Sequence, residues 1–282
     1  MVAGEGRAAI PLPVRSRRPR QRTCVVRGNA VSDSLFTPMV AIPVYNHEHA
    51  VGAMVDGVLA SGVPCLLVDD GSRESCARVL RELAARDPQR VFLLRLARNS
   101  GKGAAMLAGF REAARRGASH VLQIDADGQH DASDIPRFLD EARRAPDAVI
   151  CGAPVYDASV PKGRLYGRYL THVWVWINTL SFAIRDSMCG FRVYPLAAVL
   201  PLIDAEPIGQ RMDFDPEVLV RLHWRGVRVA NLETPVRYPR DGISHFDVWA
   251  DNVRISRMHA RLFFGMLRRL PRLLAMRLGR GR

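Results

Sequence analysis

The sequence lacks any pattern of paired cysteines. Its five, Cys24, Cys65, Cys76, Cys151 and Cys189, are odd in number and never stand in Cys-x-x-Cys spacing, which argues against a disulfide framework and a zinc knuckle. An uninterrupted run of about 20 apolar residues is also missing, so no membrane-spanning helix is expected. The most apolar stretch, Leu165 to Ile184, is interrupted by Arg168, His172 and Asn178 and is expected to be a buried or membrane-facing amphipathic helix. No internal repeat is present, and the first 30 residues lack the apolar core of a signal peptide. Reduced thiols without a secretion signal place the expected protein in the cytoplasm.

Acidic residues are scarce at both ends. The net charge of +13 suggests a polyanion binder until it is mapped. Residues 1 to 30 carry +6, residues 251 to 282 carry +8, and the 220 residues between them sum to −1. The basicity therefore belongs to the ends, and no nucleic-acid partner is expected. Residues 1–36, rich in Arg, Gly and Pro and without apolar period, read as a disordered basic extension; Met39, which opens the first apolar run, is an alternative start. Residues 248–282 read as an amphipathic basic tail. Val253, Ile255, Met258, Leu262, Phe263, Met266, Leu267 and Leu270 recur at near-helical spacing among arginines, Pro271 is expected to break the run, and the apolar stripe is expected on an anionic membrane surface.

Between the ends, strand-like runs at 39–44, 65–69, 91–96, 120–125 and 148–152 alternate with helix-like stretches at 48–60, 73–86, 103–116 and 133–145. This alternation predicts an α/β fold with a mostly parallel, helix-flanked sheet. At the end of the fourth strand stand Asp125 and Asp127, two carboxylates that can reach one hard cation from the carboxyl edge of the sheet, where open α/β folds bind ligands. Mg²⁺ or Mn²⁺ held by one or two carboxylates keeps positions for substrate phosphates, so this is a candidate diphosphate site. Gly101-Lys102-Gly103 is not a phosphate-binding P-loop, because Leu96 and Gly103 stand where that pattern needs Gly and Ser or Thr.

Four segments in order, Pro43-Val-Tyr45-Asn46, Asp69-Asp70-Gly-Ser, Asn99-Ser-Gly-Lys102-Gly and Asp125-Ala126-Asp127-Gly-Gln129-His130, resemble those of family 2 glycosyltransferases of the GT-A fold, over roughly residues 37–247. The Asp-Ala-Asp-x-Gln-His form is similar to that of the polyprenyl- and dolichyl-phosphate mannosyltransferases. The resemblance implies a metal-dependent, inverting transfer from a nucleotide-diphosphate sugar to a lipid-linked acceptor, at the inner face of the cell membrane. It implies donor contacts from Pro43, Tyr45, Asn46, Asp69, Asp70, Lys102, Asp125, Ala126 and Asp127, with Gln129 joining Asp125 and Asp127 on the metal.

The segment Asp186 to Arg192 is similar to one that borders the acceptor in those enzymes, which implies Arg192 or Arg168 at a phosphate. The run Arg240 to Phe246 resembles their Arg-x-x-Gly-x-Ser-Lys loop, with Arg240 displaced by one and His245 replacing Lys. Arg240 and Ser244 are thus acceptor candidates, and His245 is a candidate metal ligand. A hydroxyl acceptor needs a general base, for which Asp213, Asp215 and Glu217 are available, Asp215 foremost; a phosphate acceptor is already ionised and needs none. A hydroxyl on a non-prenyl lipid, pigment or saccharide is the alternative acceptor. Two other classes compete: a haloacid-dehalogenase-type phosphatase, whose Asp-x-Asp nucleophile normally closes the first strand, and a non-catalytic basic adaptor.

Overall fold

The computed structural model describes Met1 and residues 36–156, 162–236 and 247–279, the side chains of 162–166 and Gly279 excepted. Seven strands form one sheet: β1 (Pro38–Val44), β2 (Cys65–Asp69), β3 (Val91–Arg95), β4 (His120–Gln123), β5 (Val149–Tyr156), β6 (Arg192–Pro195) and β7 (Val229–Val236), in the order β3-β2-β1-β4-β6-β5-β7. All pairings are parallel except those of β6, which runs antiparallel to both β4 and β5. Eight helices accompany it: α1 (Val51–Ala60), α2 (Glu74–Arg86), α3 (Lys102–Arg115), α4 (Ile135–Arg144), α5 (Lys162–Thr179), α6 (Leu196–Ala205), α7 (Phe214–Trp224) and α8 (Val248–Gly279).

Side chains alternate across a strand, and here both faces are apolar. Met39 and Ala41 of β1, with Leu66 and Val68 of β2, enter one core with α3, α6, α7 and α8. Val40 and Ile42, with Cys65 and Leu67, enter the other with α1, α2 and α4. Pro43 is tolerated in a central strand because it lies on the parity that faces β4, beyond that strand's last paired residue, Gln123 opposite Ala41. No ladder bond is lost there.

The chain leaves β3 at one edge, and α3 carries it back across to β4 on the other side of β1. The carboxyl ends of β1, β2 and β4 therefore open at a switch point. Antiparallel β6 brings its amino end to the same place, with Arg192 opposite Gln123. One sheet edge thus receives Asn46, Asp69, Asp70, Asp125 and the Gly190 to Arg192 segment.

Pro271 does not break the last helix: α8 runs through it to Gly279. Half of the apolar stripe read from sequence faces the protein, while Leu267 is exposed. Ile255, Met258, Leu262 and Met266 are buried in the core shared with α3 and α7, and Leu273 beyond Pro271 joins them. Burial of that ladder holds the helix together across the proline. Among the described residues no helix is long and apolar enough to cross a membrane.

Candidate functional site

The centre of the site is an ammonium between two carboxylates. Lys102 Nζ lies 2.8 Å from Asp125 and 2.8 Å from Asp215 Oδ2. It reaches them because Asp70 fixes the loop before α3. Asp70 accepts from the backbone N–H of Ser100 (2.7 Å) and Gly101 (2.8 Å) and from the Asn99 amide (3.0 Å). Gly101 adopts φ 104°, and a Cβ there would meet Gln210 O. Burial raises the Asp70 carboxyl in spite of these donors. Asp69, wholly buried, accepts from Ser72 N at 2.8 Å in the turn after β2. Both acids of that pair are therefore engaged within the loops, one by the turn and one by the Asn99 to Gly101 segment. Asn46 holds the neighbouring loop at φ 55°, with its side chain accepting from Arg73 N at 2.8 Å. Pro43 and Tyr45 are half-buried at the end of β1, whereas Ala126 is buried with the core on the α1 and α4 side.

Asp125 sits over Gly190. A Cβ at that glycine would stand 2.0 Å from Asp125 Oδ2, so only glycine lets the segment before β6 pass beneath the carboxylate. Burial opposes ionisation of Asp125, but Lys102 and, further off, Arg192 hold its carboxyl below the ordinary value. Asp127 makes no ion pair among the described residues, Lys102 acting on it only from a distance. Its Oδ1 accepts from Gln129 N at 3.0 Å, and burial together with the Asp125 charge pushes it up to about 6. Burial keeps Lys102 from gaining more, yet the two carboxylates raise it above its usual value.

Asp215 is enclosed. Besides Lys102 it accepts from the Gln123 amide at 3.1 Å, and Arg192 Nη1 lies 3.5 Å from the same Oδ1 and 2.8 Å from the Asp215 carbonyl oxygen. The Arg192 side chain, expected at an acceptor phosphate, is fully buried; it braces Asp215 and the Tyr194 hydroxyl, and its Nε and Nη2 have no hydrogen bond among the described residues. Glu217 is fully buried between Arg221 (2.7 Å) and Arg261 (2.8 Å) and accepts from Gly209 N. Asp213 accepts from Arg211 N and shapes the Gly209 turn.

Arg168 makes a two-bond pair with Asp186, at 2.6 and 2.7 Å, while its Nη1 meets no described acceptor. Asp186 also accepts from Met188 N and Cys189 N and lies 3.1 Å from His172 Nε2. Burial works against its charge, but His172 and Arg168 keep its carboxyl well below the usual range. Arg240, Ser244 and His245 lie outside the described residues. Among those described, no group of three His, Cys, Asp or Glu side chains is assembled to hold a metal.

Sequence reasoning gave no role to His130, Gln123 or Gly190. His130 is buried, its Nδ1 has no partner among the described residues, and burial pushes it down to about 4 beside Asp125. Its place at the end of the Asp-Ala-Asp motif was the available signal. Gln123 and Gly190 carried none, because each matters through a neighbour distant in sequence.

The model of the family described as "Glycosyl transferase family 2" matches residues 39–199. The chain is 29% identical to the polyprenol monophosphomannose synthase of Mycolicibacterium smegmatis over 270 residues, covering 89% of this chain and 88% of that one. It is 38% identical to an undecaprenyl-phosphate 4-deoxy-4-formamido-L-arabinose transferase of Pseudomonas aeruginosa over 202 residues, 69% of this chain and only 57% of that protein. Among solved structures it resembles glucosyl-3-phosphoglycerate synthase from Mycobacterium tuberculosis in complex with Mn²⁺, uridine diphosphate and glucosyl-3-phosphoglycerate (TM-score 0.57, 16% identity, 83% and 79% of the two chains), a likeness of GT-A fold. A dehalogenase-type phosphatase and a non-catalytic adaptor are thereby set aside. The matched span holds Asn46, Asp70, Lys102, Asp125 and Gly190, the residues that build the acidic sheet edge, and the chain belongs to glycosyl transferase family 2.

Proposed function

We propose that this glycosyltransferase moves a sugar from a nucleotide-diphosphate sugar to the phosphate of a polyprenyl-type lipid, by a single inverting displacement on the cytoplasmic side of a membrane. The observation that carries the choice of acceptor is the state of Asp215. Both of its carboxylate oxygens are already engaged, Oδ2 by Lys102 and Oδ1 by the Gln123 amide and Arg192, which leaves neither turned to a substrate hydroxyl. A phosphate brings its own charge and needs no base. The names of the relatives point the same way, and the four described free cysteines, all buried, suit a reducing compartment.

The acidic edge fits a hard dication. Burial and the neighbouring Asp125 charge both disfavour an ionised Asp127, which a bound dication would relieve, and Asp125 Oδ1, 2.8 Å from Lys102 Nζ, is buried without a hydrogen bond. Asp125 and Asp127 would hold Mg²⁺ or Mn²⁺, with Gln129 beside them and the remaining positions left to phosphate oxygens and water; bound, the ion supplies Lewis-acid stabilisation of the departing diphosphate. The chain's residues do the rest. The Asp70-anchored loop presents Lys102 to the diphosphate, Asp186 orients Arg168 toward the acceptor phosphate, and His130, neutral, adds no charge of its own. A phosphate oxygen attacks the anomeric carbon as the bond from that carbon to the diphosphate breaks, and the nucleoside diphosphate leaves with the electron pair.

The test is a panel of nucleotide sugars with prenyl phosphate and with the matching prenol. Transfer is expected to the phosphate alone, to stop in EDTA, and to be abolished in Asp127→Ala while the circular dichroism stays native. Equal transfer to the prenol would refute the phosphate reading.

A further inference from the structure

Helix α8 is apolar over more of its circumference than the protein covers. Its buried ladder, Ile255, Met258, Leu262, Met266 and Leu273, faces the core. A second ladder, Trp249, Phe264, Leu267, Leu274 and Leu278, follows the 3.6-residue period on the outer side and is exposed, Phe264 at 62% and Leu278 at 77%. One flank of this outer ladder is a row of arginines, Arg257, Arg268 and Arg272, all exposed and without a described acidic partner. The opposite flank is continuous with α5: the Trp174 ring meets Phe263 edge-on at 6.3 Å, and Phe263 meets Phe264 at 5.9 Å. There α5 exposes Leu170, Trp174 and Ile177.

We infer that the outer faces of α5 and α8 form the surface by which this enzyme lies on an anionic lipid bilayer, aromatic and aliphatic side chains entering the interface and the arginine row meeting lipid phosphates. An apolar patch rimmed by one sign of charge is the signature of such a surface. A second copy of the chain is the poorer occupant: the single acid of α8, Asp251, is buried, and the described part of α5 has none, so the arginine rows of a symmetric pair would find no carboxylates opposite. Of the stripe read from sequence only Leu267 belongs to this surface; Ile255, Met258, Leu262 and Met266 are core. The surface does not depend on the lipid-phosphate reading of the reaction.

The test uses the full chain and vesicles of phosphatidylglycerol with phosphatidylcholine, or of phosphatidylcholine alone. The wild type is expected to co-float with anionic vesicles at low salt and to release at high salt. The exposed triple variant Phe264→Ser, Leu267→Ser, Leu274→Ser should lose at least tenfold in binding, as should Arg257→Gln, Arg268→Gln, Arg272→Gln, with melting temperatures unchanged. Both should keep transfer to a short-chain, water-soluble prenyl phosphate and lose it toward long-chain acceptor in vesicles. Failure of the wild type to float, unchanged binding by both variants, or a dimer dissociated by the serine variant would overturn the surface. Binding without any sugar transfer would leave the surface standing and overturn the proposed reaction instead.

Discussion

Lys102 is one of two lysines in the chain, and it occupies the position where two carboxylates converge. Replacing it by methionine keeps the length of the side chain and removes the charge. Asp125 and Asp215 would then share only Arg192, and breaking a buried ion pair typically costs on the order of 3 kcal/mol. Lys102→Met is therefore expected to lower metal-free stability in a urea titration by about that amount, with Mn²⁺ restoring more stability to the variant than it adds to the wild type. An unchanged urea midpoint would show that the ammonium does not balance the acids. Gly190→Ala tests the same carboxylate from below. The new methyl cannot coexist with Asp125 where it stands, and a displacement of about 1 Å in a reacting site can lower rates roughly a hundredfold. The expected result is that loss in turnover, weaker Mn²⁺ binding by electron paramagnetic resonance, and a nearly native melting curve. Full activity in Gly190→Ala would mean that the position of Asp125 is not critical.

The first four strands and helices were legible because each repeats one signal: an apolar run, a turn with Asp or Gly, then a 3.6-residue period. Elements after β5 carried weaker signals. Strand β6 has four residues, all buried, so no alternation marks it, and the close fit of Gly190 under Asp125 joins residues far apart in sequence. Helix α6 contains Pro201. For α8 the sequence supplied the period and the arginines but merged two apolar ladders into one, since only the packing against α5 and α7 separates them. At the α5–α8 junction His259 is buried, receives the Asn178 amide at 3.4 Å, and stacks near Trp174; burial pushes its imidazole down to about 4. The unfolded chain, with an ordinary value near 6.5, therefore takes up the proton first. The stability contributed by neutral His259 is complete above pH 6.5 and declines as pH falls toward 4, by about 3 kcal/mol over that window. His259→Leu should flatten this decline in urea midpoints measured from pH 7 to 4. A slope identical to the wild type's would show that His259 is not the titrating group.

For the molecule as a whole, the consequence is that α8 is a wall of the catalytic domain and not a detachable tail. It supplies Ile255, Met258, Leu262, Met266 and Leu273 to the larger core, and Arg261 to the buried Glu217 on α7. Each of those apolar side chains contributes about 1.5–3 kcal/mol when fully buried. Five of them together are comparable to the roughly 5–15 kcal/mol that keeps a typical domain folded. Removing residues 248–282 is therefore expected to give an unfolded or aggregated chain, not a soluble enzyme freed from its membrane. A gentler comparison separates the two faces of the helix. Leu262→Ala opens a cavity in the core and should cost about 2–5 kcal/mol. Leu267→Ala, one and a half turns further on the outer ladder and 45% exposed, should change stability by no more than about 0.5 kcal/mol while weakening vesicle binding. Equal losses of stability in the two variants would mean that the inner and outer ladders have been assigned wrongly.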